Sequence, residues 1–269
     1  MDREDVEIKV TGLFKAFEEN RVLQGVDLEI RRGEIVALVG GSGCGKTVLI
    51  NHVLGLLAPD AGQVMVADHG RPGAPLTDLG ALDEAERDRI HTHWGVVFQR
   101  NALFSGSVLD NIGLWLTEVR NLAPEGIPPI ARRVLDAVAL PSDPAFLDSP
   151  VEGLSGGMAK RLAIARALAM DPKVMFYDEP TTGLDPTSAT QIQDLILATH
   201  QADGGFRTTV IITHDKDLLL RLAPRVVMLH EGRVFFDGPF AGFHGSASPV
   251  IRPYFDLMPV LHGGPGGAV

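Results

Sequence analysis

Three short stretches carry residue types that handle phosphate. Gly40 to Thr47 reads GGSGCGKT, a G-x-x-x-x-G-K-[ST] pattern, directly after the apolar run Glu34 to Val39 (EIVALV). A turn between a buried strand and a helix N-terminus can aim backbone N–H groups at a phosphate, and glycine lets the backbone approach closely and adopt φ > 0. In such a turn Lys46 reaches the β/γ-phosphates and the Thr47 hydroxyl ligates Mg²⁺. Lys173 to Glu179 reads KVMFYDE. An apolar run closed by two acids places Asp178 at the carboxyl end of a strand beside that turn. There it would hold Mg²⁺, directly or through water, and Glu179 would polarise an attacking water. Leu154 to Met158 reads LSGGM, ahead of AKRLAIARALAM. Ser155 is a good N-cap, and a helix opened by Ser-Gly-Gly is a second phosphate-binding device. Leu162, Ala165 and Ala169 form the apolar face of that helix, with Lys160, Arg161 and Arg166 largely off it.

These stretches need strands and helices to hold them. Val6 to Leu13 reads as an edge strand and Val22 to Ile30 as an alternating one. Glu34 to Val39 is a short buried strand, and a helix from Lys46 to about Leu57 follows the glycine turn. Gln63 to Ala67 and Trp94 to Phe98 are strands, Arg71 to Asp78 is loop, and Leu82 to His91 is helical. From Asn101 to about Met170 strand signals vanish, and Pro124, Pro128 and Pro129 break the segment into several helices. Strands return at Lys173 to Tyr177, Thr208 to Thr213 and Arg225 to Leu229. Helices fill Thr187 to Gln201 and Asp215 to Leu222, and Glu231-Gly232 turns a hairpin. Alternating strands and helices specify an α/β fold with a largely parallel sheet. Beyond Gly238 the pattern weakens to a short stripe, Ile251, Tyr254, Phe255 and Met258, at helical spacing. Pro253 fits only the first turn of such a helix, and HGGPGGAV reads as a flexible tail.

Composition limits the function classes. The chain has 269 residues, 24 Lys+Arg against 34 Asp+Glu for a net charge of −10, 45% hydrophobic and 22% charged residues. These values describe a globular protein, and they argue against a nucleic-acid binder held by phosphate contacts. Cys44 is the single cysteine, so no internal disulfide forms, and a reducing compartment is expected. No window of about 18 uncharged apolar residues spans a bilayer. The opening MDREDVEIKV lacks the apolar core of a secretory signal.

Taken together, GGSGCGKT, LSGGM and VMFYDE, in that order and spacing, resemble the nucleotide-binding subunit of an ABC transporter over Val6 to about Gly238. They match its Walker A, signature and Walker B motifs. The resemblance implies a P-loop NTPase (RecA-like) core with an antiparallel β edge and a helical insertion at about 101–170. It also implies an ATPase domain over 1–238 and a C-terminal extension over 239–269. ATP and Mg²⁺ are the implied cofactors. The implied nucleotide contacts are Phe17, Val22, Gly40, Gly41, Ser42, Gly43, Cys44, Gly45, Lys46, Thr47 and Val48. Phe17 would stack on adenine, although Phe14 is near enough for either to be core, and Cys44 is read as a small filler. Gln99, after WGVVF, takes the Q-loop position, so Thr47, Gln99 and Asp178 form the metal set. Glu179, His214, Gln99 and Lys46 form the catalytic set, with His214 at the switch-histidine position. Asp185 in TGLDP matches the D-loop. Ser155, Gly156, Gly157 and Met158 would reach the γ-phosphate of ATP held by a second copy, which makes a homodimer.

Met158, where most of the family has Gln, together with Leu103-Phe104-Ser105 and TTGLDP, is similar to the MlaF-type ATPases of MCE-linked phospholipid transport. That resemblance implies an MlaE-like permease, an MCE-domain (MlaD-like) protein and a STAS-domain (MlaB-like) protein as partners, with no nucleic acid. It implies a peripheral location on the cytoplasmic face of the bacterial inner membrane. The stripe at Ile251, Tyr254 and Phe255 resembles that group's C-terminal extension, which reaches the neighbouring ATPase subunit. A small-solute (amino acid) importer shares every one of these motifs. A DNA-repair or translation ABC ATPase and a silent binding module are further readings.

Overall fold

The computed structural model describes residues 6–202 and 207–259, so the C-terminal glycine-rich tail from His262 lies outside the described residues. Two sheets share one interior. The first is antiparallel, built from β1 (Val6–Phe17), β2 (Asn20–Arg31), β4 (Ala61–Ala67) and β5 (Leu76–Asp78). Its order is β2-β1-β4-β5. β1 is therefore an inner strand, contrary to the edge position expected of it, because β4 returns along its free side. β5 occupies a stretch read as loop. Three residues are too few to show a period, and its place comes from pairing with Met65, Val66 and Ala67.

The second sheet contains β3 (Ile35–Val39), β6 (Trp94–Val97), β7 (Val174–Asp178), β8 (Thr208–Ile212), β9 (Arg225–His230) and β10 (Arg233–Pro239). Its order is β10-β9-β3-β8-β7-β6. All its pairings are parallel except β9 with β10. Strands buried on both faces read as continuous apolar runs, which is why IVALV and TTVII were legible. Parallel strands also end on the same side. The loops after β3, β6, β7 and β8 therefore leave from one edge of the sheet, the usual place for a ligand in such folds.

One face of the parallel sheet (Val36, Leu38, Phe176, Ile212) packs on α1 (Lys46–Val53) and on Ile8, Val10, Leu13 and Val26 of the antiparallel sheet. α1 stops short of the expected Leu57 because Gly55 turns left-handed (φ 68), a common way to end a helix. The other face (Met175, Tyr177, Ile211) packs on α6 (Gly156–Ala169) and α7 (Pro186–His200). α6 also carries α3 (Val108–Glu118), α4 (Ile127–Ala137) and α5 (Pro144–Leu147). Pro128 and Pro129 start α4 rather than break it, since the first helical turn needs no N–H donors from them. α2 (Glu84–His91) opens on a capping box from Asp83 and Glu86.

α6 corrects another expectation. Leu162, Ala163, Ile164, Ala165, Ala167 and Leu168 are all buried, and Lys160 is only 2% exposed. The helix is enclosed by its neighbours, so the small alanines pack and the lysine is inside rather than off the apolar face.

The segment after Gly238 is ordered against the sheet. α8 (Lys216–Leu222), α9 (Phe240–His244) and α10 (Ile251–Leu257) bring Leu219, Phe240, Phe243, Ile251, Phe255 and Met258 onto Ala37, Val39, Val226 and Met228. α10 packs on the sheet of its own chain. Pro253 sits in the first turn of α10, as expected.

Leu116 is fully buried between α3 and α6, whereas Leu114 on the same helix is 38% exposed. Leu116→Ala is expected to lower unfolding free energy by about 2–5 kcal/mol. Leu114→Ala is expected to shift it by less than about 0.5 kcal/mol. Urea denaturation of both variants checks the pair.

Candidate functional site

Gly40 closes β3 at φ 144. A Cβ placed there would lie 2.3 Å from the Leu229 carbonyl oxygen and 2.7 Å from Cys44 Sγ. Glycine is the residue that both the conformation and the space allow. The loop then leads to α1, whose N-cap Gly45 has φ 102 and supplies no side-chain cap. The first-turn N–H groups of α1 therefore face outward without a side-chain partner, with the positive end of the helix dipole behind them. Lys46 Nζ lies back over the loop, donating to the carbonyls of Gly40 at 2.8 Å and Gly41 at 3.0 Å. Gly41, Ser42, Gly43 and Thr47 are exposed, Cys44 and Val48 half-buried, and Gly45 is packed under Val22 and Leu23. Cys44 Sγ, 3.8 Å from Lys46 Nζ, fills the space beneath the turn.

At the end of β7 the two acids sit in different surroundings. Asp178 and Thr47 line one cleft together with Asn51, Phe98 and Ile212. Burial, and then the charge of Glu179, hold the Asp178 carboxyl above the usual carboxylate range, while Lys160 and Lys46 pull it down. A carboxylate short of solvation beside a hydroxyl is a donor set that suits a hard divalent cation. Glu179 has φ 47, a strained conformation for a residue with a Cβ. Its carboxylate is 2.7 Å from His214 Nδ1 and accepts weakly from the His214 N–H and Thr182 Oγ1, each at 3.4 Å. His214 in turn is placed by Asp215, which is fully buried and caps α8. Asp215 accepts from Thr181 Oγ1 at 2.7 Å and Gln193 Nε2 at 3.1 Å. β3, β7 and β8 thus bring Lys46, Asp178, Glu179 and His214 to one edge.

Gln99 follows β6 and Phe98, with its side chain exposed. Its backbone is held from below, because buried Lys160 donates to the carbonyls of Phe98 at 3.0 Å and Gln99 at 2.9 Å. Burial holds the Lys160 ammonium below its ordinary range. Ser155 caps α6 by accepting from the Met158 N–H at 3.3 Å. Ser155 and Gly156 are exposed, and Met158 is half-buried against the core. Gly157 allows close approach of α7, since a Cβ there would meet Ser188 Oγ at 2.6 Å. Ser188 belongs to the turn capped by exposed Asp185, whose carboxyl the Ser188 hydroxyl and N–H hold below the usual range. The signature and D-loop positions are therefore in direct contact.

Phe17 and Phe14 are 44% and 45% exposed, so neither is core. The Phe14 ring covers Gly25, while Phe17 stands at the end of β1 with Lys15 Nζ 5.5 Å from its ring centre. Sequence reasoning gave no role to Asp215, placed Tyr254 only in the stripe of the C-terminal extension, and misplaced Lys160. Asp215 is legible in hindsight as a helix N-cap after TTVIIT, while the burial of Lys160 left no pattern.

The loop geometry separates two adjacent glycines. Gly40→Ala is expected to lower the thermal transition and abolish ATP binding. Gly41→Ala, with nothing within 4 Å of the added carbon, is expected to keep the transition unchanged. Scanning calorimetry with and without MgATP reads both.

A profile of the ABC transporter family matches residues 23–182. The chain is 36% identical to Protein TRIGALACTOSYLDIACYLGLYCEROL 3, chloroplastic, of Arabidopsis thaliana, over 93% of this chain and 73% of that protein. It is 37% identical to the sulfate/thiosulfate import ATP-binding protein CysA of Methylococcus capsulatus, over 95% and 70%. Among solved structures it is similar to cbiO1 of Clostridium perfringens, part of the ABC transporter complex cbiONQ. The TM-score is 0.76 at 30% identity, covering 90% of this chain and 92% of that one. A dimeric post-hydrolysis state of the ATP-binding cassette MJ0796 with ADP and Pi gives a TM-score of 0.73 at 29% identity, over 87% and 98%. Sequence and fold are thus shared with proteins of one family. The chain belongs to the ABC transporters as an ATP-binding subunit, a P-loop ATPase that uses ATP with Mg²⁺.

Proposed function

We propose that this subunit energises lipid transport through an MlaE-like permease, as one half of a homodimer that clasps two ATP molecules. The observation that carries the dimer is the division of the site. Lys46, Asp178, Glu179 and His214 share one edge, while the capped Ser155 and Gly156 are exposed on a separate helix. Ser155, Gly156, Gly157 and Met158 would then face the γ-phosphate held by a second copy, with Asp185 beside them. The relative MJ0796 is described as dimeric, which supports the arrangement.

In the proposed reaction water attacks the γ-phosphate in line. Phe17 stacks on adenine and Val22 and Val48 border it, while the N–H groups of Gly41 to Thr47 surround the phosphates. Lys46 leaves the Gly40 and Gly41 carbonyls for the β/γ-oxygens. Thr47, Asp178 and Gln99 would hold Mg²⁺, which would supply positive charge against the triphosphate. Glu179 turns from His214 to the water, and His214, released, contacts the γ-phosphate. Catalysis is then mainly positioning and charge stabilisation. Loss of the bond to γ-phosphate weakens the contact between copies, and the dimer opens.

The lipid reading is supported by LSGGM, Leu103-Phe104-Ser105 and the relative that carries a lipid's name. By this reading an MCE-domain protein and a STAS-domain protein join the permease at the cytoplasmic face of an inner membrane. Among the described residues no helix is long and apolar enough to cross a membrane. The residues 1–238 form the ATPase domain, with a helical subdomain at about 101–170 and an extension from 239. The equally similar CysA relatives favour a second reading, import of a small oxyanion.

Affinity capture from detergent-solubilised membranes separates the two. An MCE-domain partner supports lipid transport, and a soluble solute-binding protein supports the import reading. Glu179→Gln is expected to bind ATP, accumulate closed dimer and lose about 10²–10⁴ in turnover. Near wild-type phosphate release would refute its role. Lys46→Ala is expected to lose nucleotide affinity in calorimetry.

A further inference from the structure

The C-terminal helix touches the phosphate loop. Tyr254 Oη accepts from the Gly40 N–H at 3.0 Å and donates to the Gly40 carbonyl at 3.3 Å. That carbonyl is also the resting partner of Lys46 Nζ. The Gly40 N–H lies at the root of the loop, ahead of α1 and its unpartnered first-turn donors. The hydroxyl therefore brackets one residue, bonding the peptide groups on either side of the Gly40 Cα, without covering the outward N–H groups. α10 is fixed on both sides of Tyr254. Ile251 and Phe255 are each 3% exposed in the core shared with β3 and β9. Lys216 Nζ stands 4.4 Å from the Phe255 ring centre, and Lys216 is two residues beyond His214. One short helix thus joins the first glycine of the phosphate loop to the helix that follows the histidine. The phenol is itself desolvated, its pKa pushed up to about 12 by burial, so it keeps its proton at neutral pH.

We propose that Tyr254 is a positioning residue for ATP binding, a clasp by which the C-terminal helix holds Gly40 in the conformation the phosphate loop needs. The inference rests on Gly40 to Thr47 being the phosphate cradle. Gly40 is held at a φ that few residues adopt. Without the hydroxyl its N–H loses the Tyr254 partner, and among the described residues its carbonyl keeps Lys46, the cation that must leave when phosphate arrives.

The test uses the full-length chain and three measurements on Tyr254→Phe: MgATP affinity by calorimetry, steady-state ATPase activity, and hydrogen exchange of residues 40–47. Phenylalanine preserves the ring packing, and thermal unfolding of the nucleotide-free protein verifies the fold. MgATP affinity is expected to fall about three- to tenfold, the range of one net hydrogen bond. KM should rise in proportion while kcat changes by less than about twofold, and loop exchange should quicken without nucleotide. Arg252→Ala, on the exposed side of α10, should match wild type in all three. Unchanged affinity and loop exchange in Tyr254→Phe would overturn the clasp. An equal loss in Arg252→Ala would overturn it too, because the effect would then belong to the helix as a whole. If the wild-type chain bound no MgATP, the phosphate-cradle reading would fail instead.

Discussion

A multiply charged phosphate has to leave water and find as many donors in the protein as it loses. That demand governs the arrangement of this chain. Backbone N–H groups can meet it only where a strand runs directly into a helix through a turn with almost no side chains. Here β3 meets it by burying both faces, so that its end is fixed, and Gly40 meets it by leaving room for the Leu229 carbonyl 2.3 Å from where a Cβ would be. Everything else at the site is placed relative to that turn. Because β6, β7 and β8 run parallel to β3, their loops open on the same side, and acid, histidine and glutamine arrive there from distant parts of the sequence.

The resting site holds its charges in provisional pairs. Lys46 rests on two loop carbonyls, and Glu179 rests on His214 at 2.7 Å. Asp178 is short of both solvent and a close partner, which leaves its carboxyl reluctant to ionise. Each pairing is one that nucleotide and metal can replace with a stronger one. Beneath them lies a layer that does not need to move. Asp215 ties the His214 loop to α7, and Lys160 ties the Gln99 loop to α6. Gly157 presses the signature helix against the D-loop turn. A shift of α6 would therefore be felt at both the glutamine and the aspartate positions.

The parts legible in the sequence were those with strong local signals. Unbroken apolar runs gave β3, β7 and β8, and the glycine turn gave the phosphate loop. The capping residue Ser155 gave the start of α6. The parts that were not legible depend on tertiary company. β1 became an inner strand only because β4 pairs along it. β5 is too short to carry a period. Lys160 looked like a surface charge by helical spacing, and it is inside because α6 is enclosed on all sides. The segment after Gly238 looked weak because its stripe is only about two turns long. It is ordered because Phe240, Phe243, Ile251 and Phe255 meet, beside Leu219 of α8, the sheet face formed by Ala37, Val39, Val226 and Met228. At Phe14 and Phe17 the sequence could not rank two aromatics, and both are partly exposed.

The central claim is that one triphosphate is gripped by the glycine turn of one copy and the serine-capped helix of another. Cysteine crosslinking tests it most directly, with Ser42→Cys and Ser155→Cys introduced together into a Cys44→Ser, Glu179→Gln background. The account predicts an intermolecular disulfide between positions 42 and 155 that forms with MgATP and is absent without nucleotide. A crosslink within a single chain, or a yield indifferent to MgATP, would contradict it.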